Sequence, residues 1–90
     1  MNNFDYKSLI IKDKEYLWHP FTQMKQWLAE DQLIISSGKE NTLYDIDGKP
    51  YIDAYGSLWC NVHGHNIPEL NEAIIEQVKK ISHSTLLGAS

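Results

Sequence analysis

The strongest constraint on this chain is the stretch over residues 67–82, IPELNEAIIEQVKKIS. Leu70, Ala73, Ile74, Val78 and Ile81 recur at helical spacing and form one wide apolar stripe, with Glu72, Glu76, Lys79 and Lys80 turned away from it. Pro68 suits the first turn, where its missing N–H costs nothing. Asn66 and Glu69 have the spacing of a capping box, and the two lysines suit the C-terminal end of the helix dipole. Such a stripe needs cover. What precedes it offers only one weak helix and a hairpin, and Trp18, Trp27, Trp59, Tyr44, Tyr51 and Tyr55 need cover as well. A chain of 90 residues buries a modest share of its surface in any case. The sequence therefore reads as the opening of something larger.

Ahead of that helix, residues 3–17 place Phe4, Leu9, Ile10 and Leu17 among charges and predict a short, weakly amphipathic helix. Pro20 is expected to stop it, since a proline disfavours the helical region for the residue before it. WHPFTQMKQW follows with no clear period. Residues 33–55 read as β: a short apolar run Leu33 to Ile35 ended by Ser36-Ser37-Gly38, then TLYDIDGKPYIDAY. Asp47-Gly48 signals a hairpin turn with positive φ at both central positions, and Pro50 suits the start of the return strand. The expected architecture is α+β: an N-terminal helix, a small antiparallel sheet and a long helix.

Composition removes several function classes. The net charge is −4 and the eight Lys and Arg form no basic stripe, so nucleic acid is not an expected partner. One cysteine cannot form an internal disulfide. No apolar run reaches the length of a membrane span, and the charge-broken N-terminus is no signal peptide, so a soluble cytoplasmic protein without membrane contact is expected.

SLWCNVHGHN, residues 57–66, concentrates specialised side chains without an acid, base or lysine. Cys60 and His63 fit one C-x-x-H pair, and His65, His19 and His83 add imidazoles, but no second pair follows at zinc-finger spacing. The competing reading is that these histidines make hydrogen bonds in a turn leading to the helix, and no metal site is expected. Asp45-x-Asp47-Gly48 opens like a calcium loop, yet its twelfth position is Gly56 rather than Glu. Cys60 with a neighbouring His could act as a nucleophile, but a lone Cys in apolar surroundings is normally buried and inert. The loop aromatics Phe21, Tyr55 and Trp59 either plug a core or wall an apolar ligand pocket, and the usual burial of Trp puts core first.

The runs LWHPFTQM and LYDIDGKPYIDAYGSLWCNVHGHNIPELNEAIIEQVKKISHSTLLG together resemble the N-terminal portion of a class III, PLP-dependent aminotransferase. The D-x-D-G-x-x-Y-x-D hairpin belongs to the wider class. Trp18 to Thr22 and Trp59 to His65 resemble the subgroup that aminates 8-amino-7-oxononanoate to 7,8-diaminononanoate in biotin synthesis. The resemblance implies a fold-type I α/β transferase that is homodimeric. Residues 1–90 would form its small-domain part and the start of the connection to the large PLP-binding domain, which lies outside them. It implies pyridoxal 5'-phosphate as electron sink, with the protein orienting substrate, and small-molecule partners: 8-amino-7-oxononanoate and an amine donor, S-adenosylmethionine or lysine. Phe21 falls where many members have Tyr, and Leu58-Trp59 where many have two Trp, so Phe21, Leu58 and Trp59 are the implied substrate-binding residues. Ser84 to Gly88 falls where the class approaches the dimer-related active site. The family's Schiff-base lysine, its pyridinium-pairing Asp and its phosphate-binding segment match no residue here. No catalytic, cofactor-binding or metal residue is therefore expected within the chain, which alone should neither hold PLP nor transaminate. The alternatives are another class III aminotransferase, a small non-enzymatic binding module with an aromatic pocket, and a metal-binding protein using Cys60, His63 and His65.

Overall fold

The computed structural model of the chain describes residues 5–89. They divide into two units, one made of residues up to 37 with 44–49, the other of residues 38–43 with those from 50 onward.

In the first unit, α1 spans Tyr6–Tyr16 and ends at Leu17, which is already extended. The expected helix is present, but it stops before Pro20; its expected start at residues 3 and 4, with Phe4, lies outside the described residues. Asp13 in the last turn faces His19, their Oδ1 and Nε2 2.6 Å apart, and the His19 ring lies 4.2 Å from that of Trp27. The turn that follows lies at Pro20 and Phe21. The segment without a clear period holds a single helical turn, α2, Met24–Trp27, too short to show a 3.6-residue pattern. Gln32 is buried beneath it, its amide donating to the carbonyls of Trp27 and Glu30 at 2.6 and 2.7 Å. Lys14 Nζ donates to the Leu28 carbonyl at 2.8 Å.

The sheet has three strands in the order β1 (Ile35–Lys39), β2 (Thr42–Asp45), β3 (Pro50–Ile52). β1 runs through Ser36-Ser37-Gly38, which the sequence marks as a break. Its Ser36 hydroxyl donates to the Asp45 carbonyl at 2.9 Å. The second hairpin turn is present at the expected place but differs in kind. Gly48 is at φ 82, and Asp47 does not share that positive φ. Gly48 N–H donates to Asp45 O at 3.0 Å and Asp45 N–H to Lys49 O at 3.1 Å. This is a three-residue loop closed by one left-handed glycine. The buried Asp45 carboxylate accepts the N–H groups of Asp47 and Lys49, each at 2.9 Å, so it closes the turn.

In the second unit, α4 spans Pro68–Lys80. Pro68 stands in its first turn as expected, but Ile67 is the cap and gives no side-chain bond. Asn66, at φ 57, points its amide oxygen at the Asn71 amide instead of at the helix N–H groups, so the capping box does not form. Along the apolar stripe Leu70, Ile74, Val78 and Ile81 are between 47% and 63% exposed. Among the described residues no apolar side chain is buried.

Candidate functional site

Between β3 and α4, Gly56–Trp59 makes one helical turn, α3, and its hand is reversed. Gly56, Ser57, Leu58 and Trp59 have φ of 62, 48, 62 and 68. Trp59 N–H donates to Tyr55 O and Cys60 N–H to Gly56 O, both at 2.9 Å. This is α-helical hydrogen bonding in left-handed form. L-residues enter that region singly and at a cost of about 1–2 kcal/mol each, so three of them here cost roughly 3–6 kcal/mol. Strain of this kind persists only where its surroundings over-determine it.

The turn is bonded to Asp53. Its Oδ1 accepts the Ser57 N–H at 2.9 Å and its Oδ2 accepts the Ser57 hydroxyl at 2.7 Å. The same Oδ2 lies 2.6 Å from His65 Nε2, and the Asp53 and His65 side chains are 3% and 14% exposed. The base of this clasp is backbone. Glu40 and His65 exchange N–H···O bonds at 3.0 and 2.7 Å in an isolated antiparallel bridge. Gly64, at φ 99, makes that approach possible: a Cβ there would lie 2.8 Å from the Glu40 carbonyl oxygen. Asp53 N–H in turn donates to Asn41 O at 2.8 Å.

The bonds from the Ser57 N–H and hydroxyl, followed by the contact and charge of His65, lower the Asp53 carboxyl from 3.8 to about 2 against the opposing effect of burial. A depressed carboxylate pKa contributes stability that is present above the unfolded value and lost as pH falls through the folded one. The clasp should therefore hold at neutral pH and release between about pH 4 and pH 2. In a folded protein carrying this unit, the Asp53 carboxyl carbon followed by ¹³C NMR should titrate near 2. Ser57→Ala, which removes the hydroxyl donor, should raise that midpoint; a midpoint near 3.8 in the parent would show that the bonds do not form.

The three implied substrate-binding residues are all held outward. Leu58 and Trp59 lie on the reversed turn, 49% and 83% exposed. Phe21, in the first unit, is fully exposed and also at positive φ, 49. The core reading of these aromatics is not met within the chain. Cys60 is exposed rather than buried, its thiol 3.4 Å from the Leu58 carbonyl, because the reversed turn carries it to the surface. His65 serves the turn, as the hydrogen-bonding reading expects, while His63 is exposed. Among the described residues no three His, Cys, Asp or Glu side chains converge as metal ligands.

The cleft beside the clasp does not fit PLP. The cleft of about 430 Å³ beside the clasp is lined by residues such as Glu40, Asn61 and His63 and includes no lysine. Lys14 is engaged by backbone carbonyls and Lys79 by Glu76. Sequence reasoning missed Asp53, Ser57 and Gly64 as the supports of the turn; the only signal was an Asp at the end of the hairpin motif, twelve residues before His65.

The turn and its clasp can be set against known proteins. The sequence profile described as aminotransferase class-III matches residues 24–89. The adenosylmethionine-8-amino-7-oxononanoate aminotransferase of Aquifex aeolicus is 54% identical over 90 residues, all of this chain and 20% of that protein. The enzyme of the same name from Methanocaldococcus jannaschii has a crystal structure that superposes with a TM-score of 0.87 at 51% identity, over 96% of this chain and 20% of that one. An (S)-enantioselective omega-transaminase from Thermomicrobium roseum gives 0.87 at 32% identity, over all of this chain and 21% of its own. The chain thus spans about a fifth of the length of these relatives. No described helix is long and apolar enough to cross a membrane. With most of its residues under one family profile and its backbone matching that of transaminases, this chain belongs to the class-III aminotransferases.

Proposed function

We propose that these residues form the N-terminal, substrate-facing segment of a PLP-dependent transaminase that converts 8-amino-7-oxononanoate to 7,8-diaminononanoate in biotin synthesis. The observation that carries the reading is the reversed turn, bonded through Ser57 to Asp53, which fixes where Leu58 and Trp59 leave the main chain. An outward ring on such a turn suits the wall of a pocket for an aliphatic keto substrate. The names of the Aquifex and Methanocaldococcus relatives supply the substrate and favour S-adenosylmethionine over lysine as donor. In this reading Phe21, Leu58 and Trp59 wall the site, and Ser84 to Gly88 approaches the other subunit of a cytoplasmic homodimer. The cofactor supplies the electron sink and is held by parts of the enzyme outside these residues.

The test is a chimaera in which residues 1–90 replace the matching fifth of the Methanocaldococcus jannaschii enzyme. It should form 7,8-diaminononanoate from 8-amino-7-oxononanoate with S-adenosylmethionine as donor. A chimaera with normal cofactor absorbance that ignores this keto substrate but aminates other ketones would place the segment elsewhere in the class, nearer to proteins such as the Thermomicrobium transaminase.

A further inference from the structure

We infer that Asp53 is a positioning residue for substrate binding: by clamping Ser57 from two sides, with His65 behind it, it keeps the Gly56–Trp59 turn left-handed and so places Leu58 and Trp59. This rests on the proposed role of those two residues as pocket wall. Three observations carry it. The Asp53 side chain is 3% exposed, so it acts on a ligand only through what it holds. Both carboxylate oxygens are engaged, and two of their three bonds go to one residue of the strained turn. That turn ends on Trp59, whose ring is exposed. A buried acid whose bonds end on a strained backbone beside an exposed aromatic is a support for that aromatic's placement.

The experiment is done in the chimaera. Asp53→Ala should raise KM for 8-amino-7-oxononanoate about 10- to 100-fold, within the range expected when the apolar wall no longer meets the substrate. The change in kcat should stay within about threefold, since the lost interaction is uniform binding. Asp53→Asn, which keeps an oxygen for the Ser57 N–H, should fall between parent and alanine variant, and it serves if the alanine variant does not fold. The decisive arm is Asp53→Ala with Ser57→Gly. Glycine enters the left-handed region without penalty, so it should recover about fivefold or more of the lost KM. A role as general buried support predicts no recovery. A crystal structure of the Asp53→Ala chimaera should show residues 57–59 leaving positive φ. If they keep it, or if the double variant recovers nothing, the inference is wrong. If the turn relaxes while KM stays put, Trp59→Ala decides: a raised KM there overturns the positioning role, whereas an equally silent Trp59→Ala overturns the pocket-wall reading and leaves the clamp on the turn standing.

Discussion

Trp59→Ala in the chimaera should lower kcat/KM for 8-amino-7-oxononanoate about 5- to 150-fold while leaving the cofactor absorbance and melting temperature near those of the parent. The size follows from removing a large ring from an apolar wall, about 1–3 kcal/mol of lost burial, at 1.36 kcal/mol per tenfold in rate. The competing role is packing. A Trp cut to Ala in a core costs about 3–5 kcal/mol of stability, which would lower the melting temperature and soluble yield. The structure favours the first outcome, because the ring is 83% exposed within the chain and stands on a turn bonded through Ser57 to Asp53. Steady-state kinetics and thermal melting on the same preparation separate the two. An unstable variant whose folded fraction keeps normal kcat/KM would make Trp59 a packing residue.

The isolated 90-residue chain should show no cooperative unfolding. Ordering a residue costs about 1–2 kcal/mol of backbone entropy, and burial of apolar surface is the main compensation. Here no described apolar side chain is buried, and the stripe of α4 stands uncovered. Circular dichroism on heating should therefore drift without a sigmoidal step, calorimetry should give a heat-capacity increment far below the roughly 1.1–1.4 kcal/mol/K of an ordinary 90-residue domain, and the chain should bind a hydrophobic dye before heating. A sharp transition with the heat capacity of a normal domain would mean that the chain builds a core of its own, by closing on itself or by pairing.

The sequence was most legible where the signal was local and periodic. The stripe of α4 and Pro68 in its first turn are visible within residues 68–81, and so is the turn between Asp45 and Lys49. It was less legible where a local preference lost to a distant partner. Ser36-Ser37-Gly38 reads as a break, yet β1 runs through it because its partner strand supplies the ladder, and a Cβ at Gly38 would lie 3.0 Å from that of His65. Asn66 looks like a helix cap, but its φ of 57 turns the side chain toward Asn71. The candidate site shows the same division. The aromatics that face outward were named from the residues and their resemblance to a family. The acid bonded to the turn that carries Leu58 and Trp59 was not, because nothing in the spacing of Asp53, Ser57 and His65 announces that they meet; that depends on the Glu40–His65 bridge, formed across 25 residues.

The reversed hand of Gly56–Trp59 also decides which side chains a redesign of this wall could use. At positive φ a side chain branched at Cβ collides with its own backbone, while unbranched ones fit with strain and Gly or Asn with little. A library at Leu58 and Trp59 aimed at other substrates would thus find its folded members among Gly, Asn, Met, Phe and Tyr, and lose Val, Ile and Thr whatever their apparent fit to the ligand. Length, girth and polarity of the wall are free to vary there; branching next to the main chain is not.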